Sequence, residues 1–170
     1  IELPDLHKIL DQGRVVDIPS LKENARAVAA LFGPVDSGKD VLFQLLIGEL
    51  RPTRGSVRLA GVDPYHERKA FSRQVGVLFM DDNLYKRFSV LGNLQFYCRL
   101  RRLPKTRAVE GLEQVGLSDH ASFSTEKLSP GLSRRLALGR AILNNPQVLL
   151  LDNPFSGCEQ ASINLIIQVV

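Results

Sequence analysis

The sequence predicts an α/β fold with a mostly parallel sheet, and three observations lead to this prediction. Apolar runs of strand length alternate with longer segments whose apolar residues recur at helical spacing. A glycine-rich stretch, GPVDSGKD, stands at residues 33–40 between an apolar run and a helical pattern. A second apolar run, QVLLLD, ends in the acid Asp152. Alternation of this kind is typical of a parallel sheet covered by helices.

The first half of the chain supplies most of the predicted strands. IELPDL and VVDIPSL alternate apolar and polar residues and predict an N-terminal antiparallel β part. AVAALF, at residues 27–32, predicts a buried strand. KDVLFQLLIG then predicts a helix with Leu42, Leu45 and Leu46 facing inward. GSVRLAG and VGVLF predict two further strands, at residues 55–61 and 75–79.

The second half is mostly helical up to residue 144. Residues 91–100 predict one helix, and TRAVEGLEQVGL predicts a second with Val109, Leu112 and Val115 on one face. GLSRRLALGRAILN predicts a third helix, before Pro146 and the strand QVLLLD. Its apolar positions are Leu136, Leu138, Ala141, Ile142 and Leu143. We therefore expect a single α/β domain over residues 1–170.

The composition is that of an ordinary soluble domain. The 170 residues are 44% hydrophobic and 24% charged, enough for one good core. No apolar run approaches the about 18 residues that span a bilayer, and no basic-then-apolar secretory signal opens the chain. Cys98 and Cys158 lie far apart without metal-ligand spacing, which indicates free thiols in a reducing compartment. We expect a cytoplasmic protein, with a peripheral position at the inner face of the membrane as a variant.

The net charge of +4 is concentrated in two basic segments, residues 99–107 and 133–140. Such segments contact nucleic acid or phospholipid head groups in some proteins. Because no aromatic residues interleave these charges for base stacking, we favour the alternative that both are solvated helix faces.

The stretch GPVDSGKD matches the phosphate-loop pattern G-x-x-x-x-G-K-[ST] except at its last residue. A glycine-rich turn before a helix presents backbone N–H groups and the positive end of the helix dipole to an anion, and Lys39 would reach the terminal phosphates. The competing interpretation is a strand–helix turn that binds nothing; the flanking strand and helix patterns favour the phosphate loop. The candidate nucleotide-binding residues are Gly33, Pro34, Val35, Asp36, Ser37, Gly38, Lys39, Asp40 and Val41.

Asp152 is the candidate magnesium ligand. An acid at the end of a buried strand can reach magnesium beside a phosphate loop, directly or through water. The alternative is an aspartate that only caps the next turn, and the presence of Lys39 in the same chain favours the metal.

The chain resembles the nucleotide-binding domain of ATP-binding cassette (ABC) proteins. GELRPTRGSVRLAGVDP, VGVLFMDDNLYKRFSVLGNLQFYCRL and KLSPGLSRRLALGRAILNNPQVLLLDNPFSGCE are similar to consecutive stretches of that family and occur in its order. The resemblance implies a P-loop NTPase core over residues 1–81 and 131–170, with an inserted helical subdomain over about 82–130. It also implies the cofactors ATP and Mg²⁺, and a homo- or heterodimer with another ABC domain.

Several positions depart from the family pattern around the nucleotide. Ile9 and Leu10 stand where an aromatic residue usually supports adenine, with His7 as a conceivable substitute. Asp40 replaces the Ser or Thr that ligates magnesium. Two alternatives follow: its carboxylate binds the metal, or it repels the phosphates. Met80 replaces the glutamine that senses magnesium; a thioether is a poor ligand for a hard cation.

Further departures concern hydrolysis and dimer contacts. LSPGL replaces the signature L-S-G-G-Q, so that Ser129 and Gly131 are the remaining candidates for contact with a partner's nucleotide. Asn153 stands at the position of the catalytic glutamate, and an amide is not a general base near neutral pH. The D-loop reads SGCE, and we expect the family's C-terminal strands and histidine switch to be absent before Val170.

These departures predict a cassette with a degenerate ATP site and weak or absent hydrolysis. The first hypothesis is the ATP-binding subunit of a membrane transporter, paired with a competent cassette; it predicts an exposed apolar groove near DDNLYKRFSV. The second is a regulatory nucleotide-sensing or dimerisation module, fused to a LytTR-type domain through which alone it would contact DNA. The third is a scaffold without a ligand. We favour the transporter.

Overall fold

A computed structural model of the chain describes residues 1–10 and 15–170, which form two compact units, Ile1–Val75 and Gly76–Val170. The α/β fold class is confirmed: an antiparallel strand pair, a parallel pair and helices make up the described residues. The division into a core and a helical subdomain over about 82–130 stays a prediction.

The first unit begins with two paired strands, β1 (Glu2–Ile9) and β2 (Val15–Lys22). They run antiparallel, with Leu6 opposite Ile18, as the alternating patterns predicted. Leu3 and Leu6 are buried, which places the apolar positions of β1 in the core of this unit.

The predicted strand at residues 55–61 forms only isolated bridges. Arg58 pairs with Glu2, and Leu59 pairs with Val62. Ala60 and Gly61 both have positive φ, so the backbone turns back on itself there and a continuous strand is interrupted.

The helices of the first unit are α1 (Lys39–Leu46) and α2 (Arg68–Gln74). Leu42 and Leu45 of α1 are buried as predicted, whereas Leu46 is half-buried. The short helix α2 was not anticipated from the sequence.

The prediction of a buried strand at residues 27–32 is wrong. The segment forms no strand in the described part of the chain, and Val28 and Phe32 expose 83% and 89% of their surfaces. Three of its six residues are alanines, which have low strand propensity and little apolar area. Such a run becomes a strand only where a neighbouring strand pairs with it, and β1 and β2 pair with each other.

The second unit is built on strands β3 (Val75–Leu78) and β4 (Val148–Leu151), of which β3 begins with the last residue of the first unit. The pair is continued past β4, where the amide of Asp152 donates to the carbonyl of Leu78 at 2.9 Å. Both strands were predicted from their apolar runs, and their carboxyl ends lie side by side.

Four helices complete the second unit: α3 (Val90–Arg101), α4 (Thr106–Gln114), α5 (Pro130–Ile142) and α6 (Gln160–Val169). Short 3₁₀ helices occupy Ser118–His120 and Thr125–Lys127. The core of this unit consists of Leu78, Val90, Leu94, Cys98, Ala108, Leu112, Val115, Leu117, Leu136, Ala137, Leu138, Leu143 and Ile166.

Val109 does not belong to this core, contrary to the prediction. It is 47% exposed, whereas Ala108, Leu112 and Val115 are buried. Positions 108, 112 and 115 recur at the four- and three-residue steps that keep one face of a helix together. The inward face is therefore shifted by one residue toward the small side chain of Ala108.

Among the described residues, no helix has both the length and the apolar character that crossing a bilayer requires.

Candidate functional site

The glycine-rich stretch forms a loop that leads into α1. Asp36 and Gly38 have φ values of 64° and 86°, and Gly38 is the residue before the first turn of the helix. A side chain at position 38 would be strained by this φ, and its Cβ would lie 2.9 Å from Cγ2 of Val16. Glycine at this position follows from both the conformation and the close approach.

The side chain of Lys39 folds back over the loop. Its Nζ donates to the carbonyl of Gly33 at 2.6 Å, to the carbonyl of Pro34, and to Oγ of Ser37 at 3.1 Å. The ammonium group is thus held over the loop by neutral oxygens. A phosphate oxygen, which is charged, would be a stronger acceptor for the same group.

The first turn of α1 fits an anion. No side chain caps this turn, and the first N–H groups of a helix have no intrahelical acceptors. Asp40 lies in the same turn with an exposed side chain. Its carboxylate belongs to the oxygen donors that magnesium accepts, and it also adds negative charge where a phosphate would lie.

The second group of candidate residues lies in the other unit, directly after β4. Asp152 is half-buried and Asn153 is exposed. Asn153 adopts φ of 46°, a left-handed conformation that asparagine tolerates better than most residues. The described residues contain no group of three or more His, Cys, Asp or Glu side chains that could hold a metal ion by themselves. The carboxylate of Asp152 therefore offers one oxygen donor and would not hold a metal ion by itself.

Arg134 connects this loop with the loop that follows β3, and sequence reasoning assigned it no role of its own. The guanidinium, only 2% exposed, donates to the carbonyls of Asp152, of Asn153 at 2.8 Å and of Pro154 at 3.2 Å. The sequence signal for burial was its position four and seven residues before the apolar residues Leu138 and Ala141 of α5, which places Arg134 on the same helix face.

On its other side Arg134 reaches the loop that carries Met80. Nη1 donates to the carbonyls of Phe79 and of Met80 at 3.0 Å, and lies 3.2 Å from Oδ1 of Asp82. The side chain of Met80 is 59% exposed. One buried guanidinium thus forms hydrogen bonds to both the loop after β3 and the loop after β4.

The signature segment forms the N-terminal end of α5. Ser129 caps the helix by accepting from the amide of Leu132 at 3.2 Å, and Pro130 occupies the first helical position. Proline is well accommodated there, since that N–H has no intrahelical partner, but the donor is lost to any anion. The serine hydroxyl is exposed, and while its oxygen accepts from Leu132, its own proton is free to donate.

Gly131 is covered by the D-loop acid. A Cβ at position 131 would lie 2.7 Å from Cδ of Glu159 and 2.8 Å from Oγ of Ser162. Ser162 donates to Glu159, and this hydrogen bond, first among the causes, lowers the pKa of the Glu159 carboxyl.

The segment predicted to border an apolar groove presents an aromatic cluster, which we define as Tyr85, Phe88, Phe96 and Tyr97. Tyr85 lies with its ring centroid 5.2 Å from Phe88 and 4.7 Å from Phe96, and is 44% exposed. The rings form a partly exposed apolar surface on the second unit, with the exposed cations Lys86 and Arg87 in the same loop.

Asn93, which sequence reasoning missed, fixes the loop of this cluster. It is fully buried and exchanges hydrogen bonds with the backbone of Tyr85 at 2.9 and 3.0 Å, while also donating to Oγ1 of Thr125 at 2.7 Å. A polar residue within the apolar pattern of α3 was the signal.

The position near the start of the chain that would support adenine is occupied by aliphatic residues. Ile9 is 52% exposed and Leu10 is half-buried. His7 is directed toward Asp17, with Nδ1 3.6 Å from Oδ1. An imidazole in this pairing is a poor candidate for stacking on a base.

The two basic segments are not simply solvated helix faces, so that prediction is wrong in part. Arg134 and Arg140 are buried, and Arg140 donates to the carbonyls of Asp82 at 2.7 Å and Asn83 at 2.9 Å. Arg101, whose pKa burial lowers, donates to Asn144 at 2.7 Å. Only part of each segment is exposed, since these guanidinium groups satisfy carbonyls that lie inside the fold.

Both cysteines are free thiols, as predicted. Cys98 is buried and Cys158 is partly buried, and burial raises the pKa of each thiol.

Comparison with known proteins gives one consistent family. The family model described as ABC transporter matches residues 16–156. The Nod factor export ATP-binding protein I of Rhizobium etli is 30% identical over 171 residues, which cover 98% of this chain and 54% of that protein. The chain thus spans about half the length of the curated relatives it matches.

Solved structures support the same fold. The structure of cbiO1 from Clostridium perfringens, part of the ABC transporter complex cbiONQ, superposes with a TM-score of 0.86 at 23% identity, covering 99% of this chain and 70% of that chain. A dimeric, post-hydrolysis structure of the ATP-binding cassette MJ0796, bound to ADP and Pi, gives 0.81 at 23% identity, covering 99% of this chain and 80% of that chain.

Proposed function

The chain belongs to the ABC transporter family, and on that basis we propose that it is the ATP-binding part of a membrane transporter whose own site binds ATP and hydrolyses it slowly or not at all. The observation that carries this proposal is the loop before α1. It combines a left-handed Gly38, an uncapped helix N-terminus and an ammonium group held over the loop by neutral oxygens.

Binding of the phosphates is assigned to the residues of the loop and the first turn of α1. The N–H groups of residues 35–41 would donate to phosphate oxygens, and Lys39 would exchange the carbonyls of Gly33 and Pro34 for a charged acceptor. The residues proposed to hold the phosphates are Gly33, Pro34, Val35, Asp36, Ser37, Gly38, Lys39, Asp40 and Val41.

Magnesium binding is assigned to Asp152, with or without Asp40. Bound magnesium would supply positive charge to neutralise the phosphates. The carboxylate of Asp152 offers the hard oxygen donor that this cation prefers. Asn153, next to it, has an amide that takes up no proton near neutral pH, and the loss of a general base is typically about 10²–10⁴ in rate.

Pairing with a competent cassette is proposed because Asn153 leaves the site of this chain without a general base. Pro130 lacks an amide donor and Gly131 is covered by Glu159, whereas the hydroxyl of Ser129 accepts from Leu132 and keeps its own proton to donate. This chain would therefore be a poor donor to a partner's nucleotide. A heterodimer with a competent cassette would keep one catalytic glutamate, in a composite site that this altered signature completes with fewer donors, whereas a homodimer would keep none.

The aromatic cluster favours the transporter over the regulatory hypothesis. A partly exposed group of four rings offers an apolar surface against which a helix of a membrane-spanning partner can pack. A nucleotide sensor needs no such surface. The Rhizobium etli relative is named an export protein, in agreement with this proposal. The cassette would then lie at the cytoplasmic face of a membrane. A regulatory module joined to a LytTR-type domain is the second hypothesis.

Titration calorimetry with ATP tests the proposal. We expect heat of binding with magnesium, weaker binding in EDTA, and loss of binding in Lys39→Ala. Lys69→Ala is the matched control, because Lys69 is an exposed lysine on α2 of the same unit. Absence of heat from folded wild-type protein would contradict nucleotide binding and leave a scaffold. Binding that Lys39→Ala does not weaken would contradict the assignment of the loop.

A further inference from the structure

We propose that Arg134 is a positioning residue that holds the loops after β3 and β4 as one unit and transmits nucleotide occupancy at Asp152 to residues 79–82. The transmission of nucleotide occupancy rests on the proposed function, and Arg134 is the residue that would transmit it. In the nucleotide-free protein, neither loop would keep its position without the guanidinium of Arg134.

The geometry supports a connection rather than an isolated ion pair. Five backbone carbonyls from two loops accept hydrogen bonds from one side chain, and a carboxylate lies within 3.2 Å. Arginine has five N–H donors in a rigid plane, so one guanidinium can serve both loops at once. A buried cation is tolerated only when its donors are satisfied, so the carbonyls and the guanidinium fix each other.

The two connected loops are those with chemical assignments. One carries Asp152 and Asn153, and the other carries Met80, whose thioether is a poor ligand for a hard cation. The side chain of Met80 is therefore unsuited to link the metal site to its own loop. The guanidinium provides a link through the backbone that does not depend on the side chain at position 80.

The connection extends toward the aromatic cluster. Arg140, six residues further along α5, donates to the carbonyls of Asp82 and Asn83. Tyr85 follows two residues later and belongs to the cluster. A displacement of residues 152–154 would thus be passed through α5 to the loop that leads to the proposed docking surface.

Met80 is the sole methionine of the chain, which provides a direct probe. With ¹³C-methyl methionine, Met80 gives one signal, identified by its loss in Met80→Leu, from the loop that Arg134 holds. We expect Arg134→Gln to move this signal in the nucleotide-free protein. The matched control is Arg135→Gln, because Arg135 is the adjacent arginine of α5 and donates to Val115 and Gly116 instead; it should leave the signal in place.

Addition of ATP with magnesium tests the transmission. The wild-type signal should shift, and in Arg134→Gln this shift should be lost while calorimetry still detects ATP binding. Arg134→Lys keeps the charge but has a single donor centre, so it should retain only part of the shift. If Arg134→Gln does not fold, the lysine variant decides.

Two results would overturn the proposal. One is a nucleotide-induced shift of full size in Arg134→Gln or, if that variant is unfolded, in Arg134→Lys. The other is a nucleotide-free Met80 signal that the substitution of Arg134 leaves unchanged. Failure of wild-type protein to bind ATP in calorimetry is a separate result: it contradicts the proposed function and the transmission step together, and the nucleotide-free comparison then decides whether Arg134 positions the loops.

Discussion

The carboxylate of Glu159 lies against the α-carbon of Gly131, at the first turn of α5. The acid belongs to the loop after β4, and its other oxygen accepts from the buried Ser162. The chain therefore places its own negative charge at the N-terminal end of the helix that begins with Pro130. An anion from a second cassette would have to displace this carboxylate to reach the same place.

The first prediction concerns the acid side of the stability profile. The hydrogen bond from Ser162 lowers the pKa of Glu159 below its ordinary value of 4.5. A carboxyl with a lowered folded-state pKa stabilises the fold above its unfolded-state pKa, and this contribution is lost as pH falls through the folded-state pKa. Ser162→Ala should therefore lower stability near neutral pH and reduce the loss of stability below about pH 4.5. Urea unfolding across pH measures this, and an unchanged acid profile would contradict it.

A second prediction tests the contact itself. Gly131→Ala would place a methyl group on the Glu159 carboxylate and should separate it from Ser162. The variant should then show the same reduced acid dependence as Ser162→Ala, and the double variant should add nothing further, since both remove one interaction. Additive effects of the two substitutions on the acid profile would contradict the contact.

The third prediction concerns the phosphate loop. Gly38→Ala should destabilise the protein by about 1–3 kcal/mol, since the left-handed backbone and the contact with Val16 both oppose a side chain. Gly61→Ala is the control, because Gly61 has a similar φ and no atom lies within 4 Å of the place that an alanine methyl group would occupy. The destabilisation caused by Gly38→Ala, less that caused by Gly61→Ala, measures the cost of the contact with Val16. Equal destabilisation by the two substitutions would contradict this contact.

How far the sequence predicted the structure depends on whether a pattern is local. The strands β3 and β4 and the helices α3–α5 were predicted within a few residues, because their apolar periodicity is determined by local sequence. Residues 27–32 were predicted wrongly, since a strand requires a partner that the segment itself does not specify.

The candidate site shows the same division. The left-handed residue before α1 and the acid after β4 were recognisable from short motifs. The roles of Arg134, Asn93 and Glu159 depend on carbonyls and hydroxyls outside their own short motifs, from which no local pattern arises. Arg134 was counted in a basic surface segment, whereas its charge is buried against five carbonyls.

The fourth prediction concerns Asn93, which ties α3 to the loop of the aromatic cluster. Asn93→Ala should lower the free energy of unfolding by about 2–4 kcal/mol, since it leaves the amide and carbonyl of Tyr85 and the hydroxyl of Thr125 without this partner. Asn164→Ala is the control, because Asn164 is exposed and accepts one bond from Gln160; we expect a change within about 0.5 kcal/mol. Chemical denaturation measures both, and equal effects would contradict the role assigned to Asn93.

The most direct test of the central claim is phosphate release in a single turnover, with the protein in excess over ATP and magnesium saturating, for wild type, Asn153→Glu and Asn153→Gln. A site that binds ATP but lacks a general base should be accelerated by about 10²-fold or more in Asn153→Glu and unchanged in Asn153→Gln. Glutamate at φ of 46° should cost about 1–2 kcal/mol of stability, so folding of the variant is checked first. Wild-type release as fast as that of Asn153→Glu would contradict the account, because the amide at position 153 would then not be what limits hydrolysis.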